Sequence, residues 1–244
     1  MTDSTIPVQK NWRQAAHVFQ ERAAEYDNWY EDSLLFETEL AALQQIASPL
    51  PIPKLEIGSG PGRFAEQLGV TVGIDPAPAA LHRGLKRGII GVAAIGEQLP
   101  LKSEATGTLF LLFTLCFLSD PNRVLDECRR VLKSDGRLVI GQIPAQSHWG
   151  QQLENKKKKG SPYYKHAHFY TIEDTLTMLQ QADFSLLESH STLLGPPESA
   201  ERPEVVQQGI NEQAGFCVLV AGKKGKPSEA PHLHAVAPAS IERL

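Results

Sequence analysis

The segment Glu56-Ile57-Gly58-Ser59-Gly60-Pro61-Gly62 constrains this chain more than any other. It follows the strand-like run Lys54-Leu55-Glu56-Ile57 and precedes a helix-like run that reaches Gly69. Alternating glycines between a strand and a helix permit a tight turn and let a ligand approach the backbone closely. In an open parallel sheet this first turn lies where the ligand crevice forms. A dinucleotide loop, G-x-G-x-x-G counted from Gly58, needs glycine at position 63, where the chain carries Arg63. That weakens a nicotinamide oxidoreductase. The next strand ends in Gly73-Ile74-Asp75. Asp75 is placed to accept hydrogen bonds from the ribose hydroxyls of an adenosine ligand, or to cap the helix that follows.

The rest of the chain repeats the alternation. Residues 70–75, 89–94 and 136–143 read as strands, and the continuous apolar run Thr108-Leu109-Phe110-Leu111-Leu112-Phe113-Thr114-Leu115 as a fully buried one. Helices are expected over 77–86 and 122–132. This pattern implies a mostly parallel sheet with helices on both faces. Residues 11–48 read as two helices, the second N-capped by Ser33, and the prolines at 49, 51 and 53 close that unit. Residues 144–170 break the rhythm. Thr171 with Asp174 then forms a capping box for another helix. Two last strands, 184–194 and 215–222, have no clear helix between them and read as an antiparallel hairpin. The expected organisation is an N-terminal helical cap (1–50), a ligand-binding domain (51–222) with a lid insertion (144–170), and a disordered tail (223–244).

Composition excludes several classes. A net charge of −4 lacks the basic excess of a nucleic-acid binder. The most apolar stretch, 109–118, is too short for a membrane span, which needs ~20 residues. Three separated cysteines without a C-x-x-C pair argue against a zinc site or a disulfide framework. The N-terminus shows no secretory h-region, so a cytoplasmic protein, monomer or homodimer, is expected.

E-x-G-x-G-x-G followed by G-x-D resembles motifs I and II of the class I S-adenosylmethionine-dependent methyltransferases, type 11 domain. The branch it resembles contains the ubiquinone and menaquinone biosynthesis methyltransferases. Ala24-Glu25-Tyr26-Asp27 is similar to that branch's N-terminal A-x-x-Y-D helix, whose Tyr approaches the cofactor's methionine end. Gly96-Glu97-Gln98-Leu99-Pro100 resembles its A-E-x-L-P loop beside the adenine, and Arg130-Val131-Leu132-Lys133-Ser134-Asp135-Gly136 its R-V-L-K-P-G-G turn. Ile95 replaces the acidic residue that often precedes A-E-x-L-P, and Ala105-Thr106-Gly107 replaces S-F-D. The resemblance implies a Rossmann-like three-layer α/β sandwich with a seven-stranded, mostly parallel sheet and one antiparallel strand. It also implies S-adenosylmethionine as cofactor and a small-molecule acceptor. The alternative is a protein that binds the cofactor without transferring its methyl group.

The resulting cofactor-binding set is Tyr26, Glu56, Gly58, Ser59, Gly60, Asp75, Pro76, Gly96, Glu97 and Thr114. The sulfonium methyl is already activated, so in-line positioning is the main catalytic task, and no single catalytic residue is obligatory. The fourth strand ends in Phe113-Thr114-Leu115-Cys116-Phe117 without an N-P-P-Y motif, which argues against methylation of nucleobase or glutamine amino groups. Phe113 and Phe117 read as core, and Thr114 as lining the methionine pocket. His166 and His148 are candidates for the acceptor site. His166 and His168 would share a face on a strand. With no third ligand in sight no metal is assigned. The run 156–159 of four lysines reads as a solvated loop. Trp149, Tyr163 and Tyr164 suit the lid insertion to covering a small molecule, with the N-terminal helices closing from the other side.

Overall fold

A strand built on a continuous apolar run must bury both faces, and Thr106–Leu112 (β4) is buried along its whole length. The computed structural model describes residues 12–197 and 205–224. In it β4 sits at the middle of an eight-stranded sheet of order β3-β2-β1-β4-β5-β8-β6-β7. The strands are β1 (Lys54–Ile57), β2 (Val72–Asp75), β3 (Ile90–Ala93), β4, β5 (Leu132–Gln142), β6 (Phe184–Thr192), β7 (Gln207–Gln208) and β8 (Phe216–Lys223). The first five pair in parallel, and β8 runs antiparallel between β5 and β6. Successive β4 side chains divide the core. Leu109 and Leu111 face one apolar cluster, and Phe110 and Leu112 face the other.

The helices are α1 (Trp12–Glu21), α2 (Ala23–Asn28), α3 (Leu34–Gln44), α4 (Arg63–Leu68), α5 (Pro78–Leu85), α6 (Pro121–Val131), α7 (His148–Lys158) and α8 (Ile172–Gln181). Local signals set several ends. The Ser33 hydroxyl accepts from the Phe36 N–H, Asp120 caps α6 ahead of Pro121, and Thr171 and Asp174 make the expected reciprocal box. Gly69, with φ +68°, stops α4 in the left-handed region.

The structure departs from expectation in four places. The first N-terminal helix is two helices, broken at Arg22 (φ −114°, ψ 22°). The break turns α2 so that Asp27 reaches Arg63 on α4, Arg83 on α5 and Arg87 just after α5, a tertiary contact that overrides helix propensity. The insertion is not irregular throughout. α7 occupies its first half, capped by Ser147, and three of the four lysines of 156–159 form its last turn, where cations suit the helix dipole. His166 lies in a turn rather than on a strand. The eighth strand, β7, adds two residues antiparallel to β6. Lys223 completes β8, and the remainder of the expected tail, from 225, lies outside the described residues. No helix among the described residues is long and apolar enough to cross a membrane.

Candidate active site

The carboxyl ends of β1, β2, β4 and β5 open onto one side of the sheet, where ligands of such folds sit. The glycine loop leaves β1 there with Gly58, Gly60 and Gly62 all at positive φ, from +51° to +76°. Gly58 has a second reason to be glycine. A Cβ there would fall 2.2 Å from Thr114 Oγ1, at the end of β4. Thr114 is fixed in turn by its hydroxyl bond to the Leu112 carbonyl at 2.9 Å.

Asp75 ends β2 with each carboxylate oxygen held by a backbone amide, Gly60 N at 2.9 Å and Ala77 N at 2.8 Å. Burial raises its pKa to about 6 against the pull of those two amides. So Asp75 both caps the chain entering α5 and faces the cleft. Glu97 accepts from the amides of Ser119 and Asp120, which fixes the segment that follows β4.

Two cavities lie at this end of the sheet. The smaller, about 100 Å³, is lined by eight of the ten expected cofactor residues: Tyr26, Gly58, Gly60, Asp75, Pro76, Gly96, Glu97 and Thr114. Ile57, Ile74 and Ile95 give it an apolar floor. Glu56 and Ser59 do not line it. Glu56 is buried, and its pKa is raised by that burial and by the charge of Asp75. Ser59 lies against Gly73, where a Cβ would meet its hydroxyl at 2.4 Å. From α1, Trp12, Ala15 and Ala16 also line the cleft, and the Gln20 side chain accepts from Ala79 N to hold α1 across it. A drug-sized ligand takes ~300–1,000 Å³, more than this cleft offers, and α1 is the element that crosses it.

The larger cavity, about 460 Å³, lies between α2, α3, α7 and residues 161–170. Half of its twenty-four lining residues are Phe, Tyr or Trp. Every tyrosine and tryptophan of the chain lines one cavity or the other. Phe19, Tyr26, Phe113 and Phe117 line both, so the two spaces share a wall. Phe117 therefore faces the site, and Phe113 both packs on the core and faces the site. Phe113 holds a left-handed backbone (φ +55°), donates its N–H to the Gly141 carbonyl at 2.8 Å and stacks on Phe216 at 4.9 Å. Strain of that kind persists where surrounding contacts enforce it. The Tyr26 and Tyr30 hydroxyls meet at 2.8 Å, and burial raises both pKa values.

Two polar groups project into this aromatic space. Gln142, at the end of β5, accepts from the Thr175 hydroxyl at 2.7 Å and leaves its amide nitrogen without a partner. Glu39, on α3, is 8% exposed, and burial lifts its pKa to about 8. Sequence reasoning passed over it. The signal was there: Leu35, Phe36, Glu39, Ala42 and Leu43 share one helical face, and Glu39 is its single charged member. Neither expected histidine lines either of these two cavities. His148 is exposed at the first residue of α7, and His166 is half-buried, its pKa lowered by burial and by Lys165. Among the described residues no cluster of His, Cys, Asp or Glu could hold a metal ion.

Asp27, one residue beyond Tyr26, ties α2 to the glycine-loop side of the sheet. Its buried carboxylate accepts from Arg63 Nε at 2.5 Å, Arg83 Nε at 2.6 Å and Arg87 Nη2 at 3.0 Å. Burial would raise its pKa, but these bonds outweigh it and hold the pKa below the ordinary value. Arg63, the residue that breaks the dinucleotide pattern, thus has a structural use.

Residues 55–140 match the profile of a family described as methyltransferase domain. A crystal structure of a SAM-dependent methyltransferase from Thermotoga maritima, described as a possible histamine N-methyltransferase, superposes with a TM-score of 0.79. It is 31% identical and covers 86% of this chain and 100% of its own. An uncharacterized protein of Mycobacterium tuberculosis is 37% identical over 203 residues, 82% of this chain and 71% of that protein. The demethylmenaquinone methyltransferase of Thermotoga maritima is 35% identical over 99 residues, 37% of this chain and 43% of its own length.

Proposed function

This chain belongs to the S-adenosylmethionine-dependent methyltransferases, and we propose that it transfers the cofactor's methyl group to a small molecule seated in the aromatic cavity. The observation that carries the reading is the shared wall. A donor in the glycine-loop cleft and an acceptor in the larger cavity face each other across Phe19, Tyr26, Phe113 and Phe117.

The bound cofactor supplies a methyl group activated on a sulfonium. The chain's own residues hold and orient. Asp75 receives the ribose hydroxyls on the lone pairs that Gly60 N and Ala77 N leave free. Gly58 and Gly60 let the ligand lie against the backbone. Pro76, Gly96 and the isoleucine floor bracket the adenine, while Glu97 positions the segment after β4 from behind. Thr114 and Tyr26 border the methionine end. α7 and residues 161–170 act as the lid over the acceptor, tied to the end of β4 by the His168 N–H on the Cys116 carbonyl at 2.7 Å. Water exclusion by the aromatic walls keeps the reacting atoms in contact.

Calorimetric titration with S-adenosylhomocysteine tests the cleft. Asp75→Ala should weaken binding by about 1–3 kcal/mol through lost hydrogen bonds. Equal affinity in the variant would remove Asp75 from the site. Formation of S-adenosylhomocysteine from S-adenosylmethionine in the presence of a metabolite extract tests transfer, and no turnover above the protein-free control would overturn it.

A further inference from the structure

We propose that the aromatic cavity receives a small organic amine in its cationic form, with Glu39 as the carboxylate that holds the charge. The proposal deepens the functional reading above and rests on it, since it names the class of acceptor.

Three observations converge on a cation. First, Glu39 is a carboxyl that lines the cavity, is more than nine-tenths buried, and is bonded to nothing among the described residues. Among the other buried carboxyls, Glu56 also leaves one oxygen without a partner, but it lines neither cavity and sits behind the glycine loop, and the rest are provided for. Asp27 has three arginines, Asp75 two backbone amides, and Glu188 the amides of Ala47 and Ser48 together with His190. A carboxyl in apolar surroundings without a partner is costly, and its retention points to a partner from outside the chain. Second, the walls are π faces. Tyr26, Tyr30 and Tyr164 lie close enough to Glu39 that its charge would oppose ionisation of each phenol. Aromatic faces attract a cation, and Trp29 and Trp149 in the same wall attract it most. Third, among the described residues no cation pairs with Glu39; Arg22, over the Tyr163 ring at 6.0 Å, is bound to Glu25 instead. Lys156 also lines the cavity, but it is exposed on α7 and makes no ion pair with Glu39. The other titratable groups of the lining are the five tyrosines and the Cys116 thiol, none of which brings positive charge.

A neutral aromatic ligand would use the rings and leave the carboxyl unused. An anionic ligand would keep the carboxyl in its protonated form and gain no charge pairing from it. An amine uses both. Gln142, whose amide nitrogen has no partner, offers a hydrogen bond to an acceptor atom elsewhere on the ligand. In the free protein Glu39 holds its proton at neutral pH, because burial lifts its pKa to about 8. An incoming ammonium stabilises the carboxylate, so binding releases a proton to solvent. No covalent bond is made or broken in this step.

The test uses the full chain saturated with S-adenosylhomocysteine, at pH 7. Phenethylamine and tryptamine are titrated calorimetrically, beside 3-phenylpropionate and 3-phenylpropanol as anionic and neutral counterparts. The amines are expected to bind at least ~10-fold tighter than either counterpart. Titration in two buffers of different ionisation enthalpy should show close to one proton released per amine bound. In Glu39→Gln, amine affinity should fall at least ~10-fold and proton release should vanish, with S-adenosylhomocysteine affinity unchanged. The proposal is overturned if the neutral or acidic counterparts bind as well as the amines, if no amine binds the loaded protein, or if Glu39→Gln leaves affinity and proton release intact. Failure of S-adenosylhomocysteine itself to bind would instead overturn the functional reading beneath it.

Discussion

Asp27→Asn isolates the charge that fastens α2 to the cleft. Asparagine keeps the volume and one acceptor oxygen, but it leaves three guanidinium groups facing a neutral side chain. The carboxylate is 3% exposed, whereas Arg63, Arg83 and Arg87 are 17%, 31% and 16% exposed. Breaking a buried pair costs about 3–5 kcal/mol. Partial hydration of the arginines places this case at the lower end, about 3 kcal/mol. For a chain of this size that is a melting-point drop of roughly 6–12 °C. The sign of the pH dependence follows from the lowered pKa. The Asp27 contribution is complete above the unfolded pKa of about 3.9 and is lost as pH falls through the lower folded pKa. Urea unfolding of wild type and variant at pH 7 should therefore differ by about 3 kcal/mol, and the gap should close in acid. S-adenosylhomocysteine affinity should also fall, although Asp27 lines neither cavity, because Tyr26 is the next residue on α2. A difference under ~0.5 kcal/mol at pH 7, the size of an ordinary surface substitution, would refute the reasoning.

Glu39→Gln should stabilise the chain progressively as pH rises. The raised pKa, about 8, means that wild type loses stability between the unfolded value and pH 8, and the glutamine does not. Its advantage over wild type should grow by about 3–5 kcal/mol between pH 4.5 and 8, read by denaturant midpoints, and a pH-independent difference would contradict it. Gly58→Ala meets both a left-handed φ of +72° and a Cβ 2.2 Å from Thr114 Oγ1. The two together should cost about 2–4 kcal/mol in thermal unfolding, and Thr114→Gly in the same chain should recover the steric part. Trp12 lines the cofactor cleft while Trp29 and Trp149 line the other cavity. Tryptophan emission should change on titration with S-adenosylhomocysteine and lose most of that change in Trp12→Phe; an undiminished change would show that α1 does not move.

The parts of this architecture written in local sequence were legible. The glycine loop, Asp75 at a strand end, the apolar run of β4, the Ser33 cap and the Thr171–Asp174 box each follow from residues within a few positions of one another. What was not legible depends on distant partners. Helix propensity carries straight through Arg22, and only the reach of Asp27 to residues 36 to 60 positions away bends the chain there. The lysines after Asn155 look like a solvated loop, yet Ser147 starts a helix whose last turn they occupy. Phe113 and Phe117 look like core because the run before them is core, and Phe113 does pack on it while also lining both cavities. The positive φ at Phe113 redirects the chain just where β4 ends, and that angle has no sequence mark.

Asp27 and Glu39 show where the line between scaffold and site falls. Both are carboxyls on short N-terminal helices, both are more than nine-tenths buried, and both stand on a face otherwise given to apolar or aromatic packing. Their surroundings drive them in opposite directions. Three arginines pull the Asp27 pKa down, while the Glu39 pKa is pushed up to about 8 by burial alone. A charge satisfied within the chain rigidifies the elements it joins, which is the use of Asp27: it sets α2 and hence Tyr26. A charge left unsatisfied within the chain adds nothing to the fold and makes it less stable as pH rises. It is tolerated where another molecule completes it, and a pocket wall is the place where that exchange can happen.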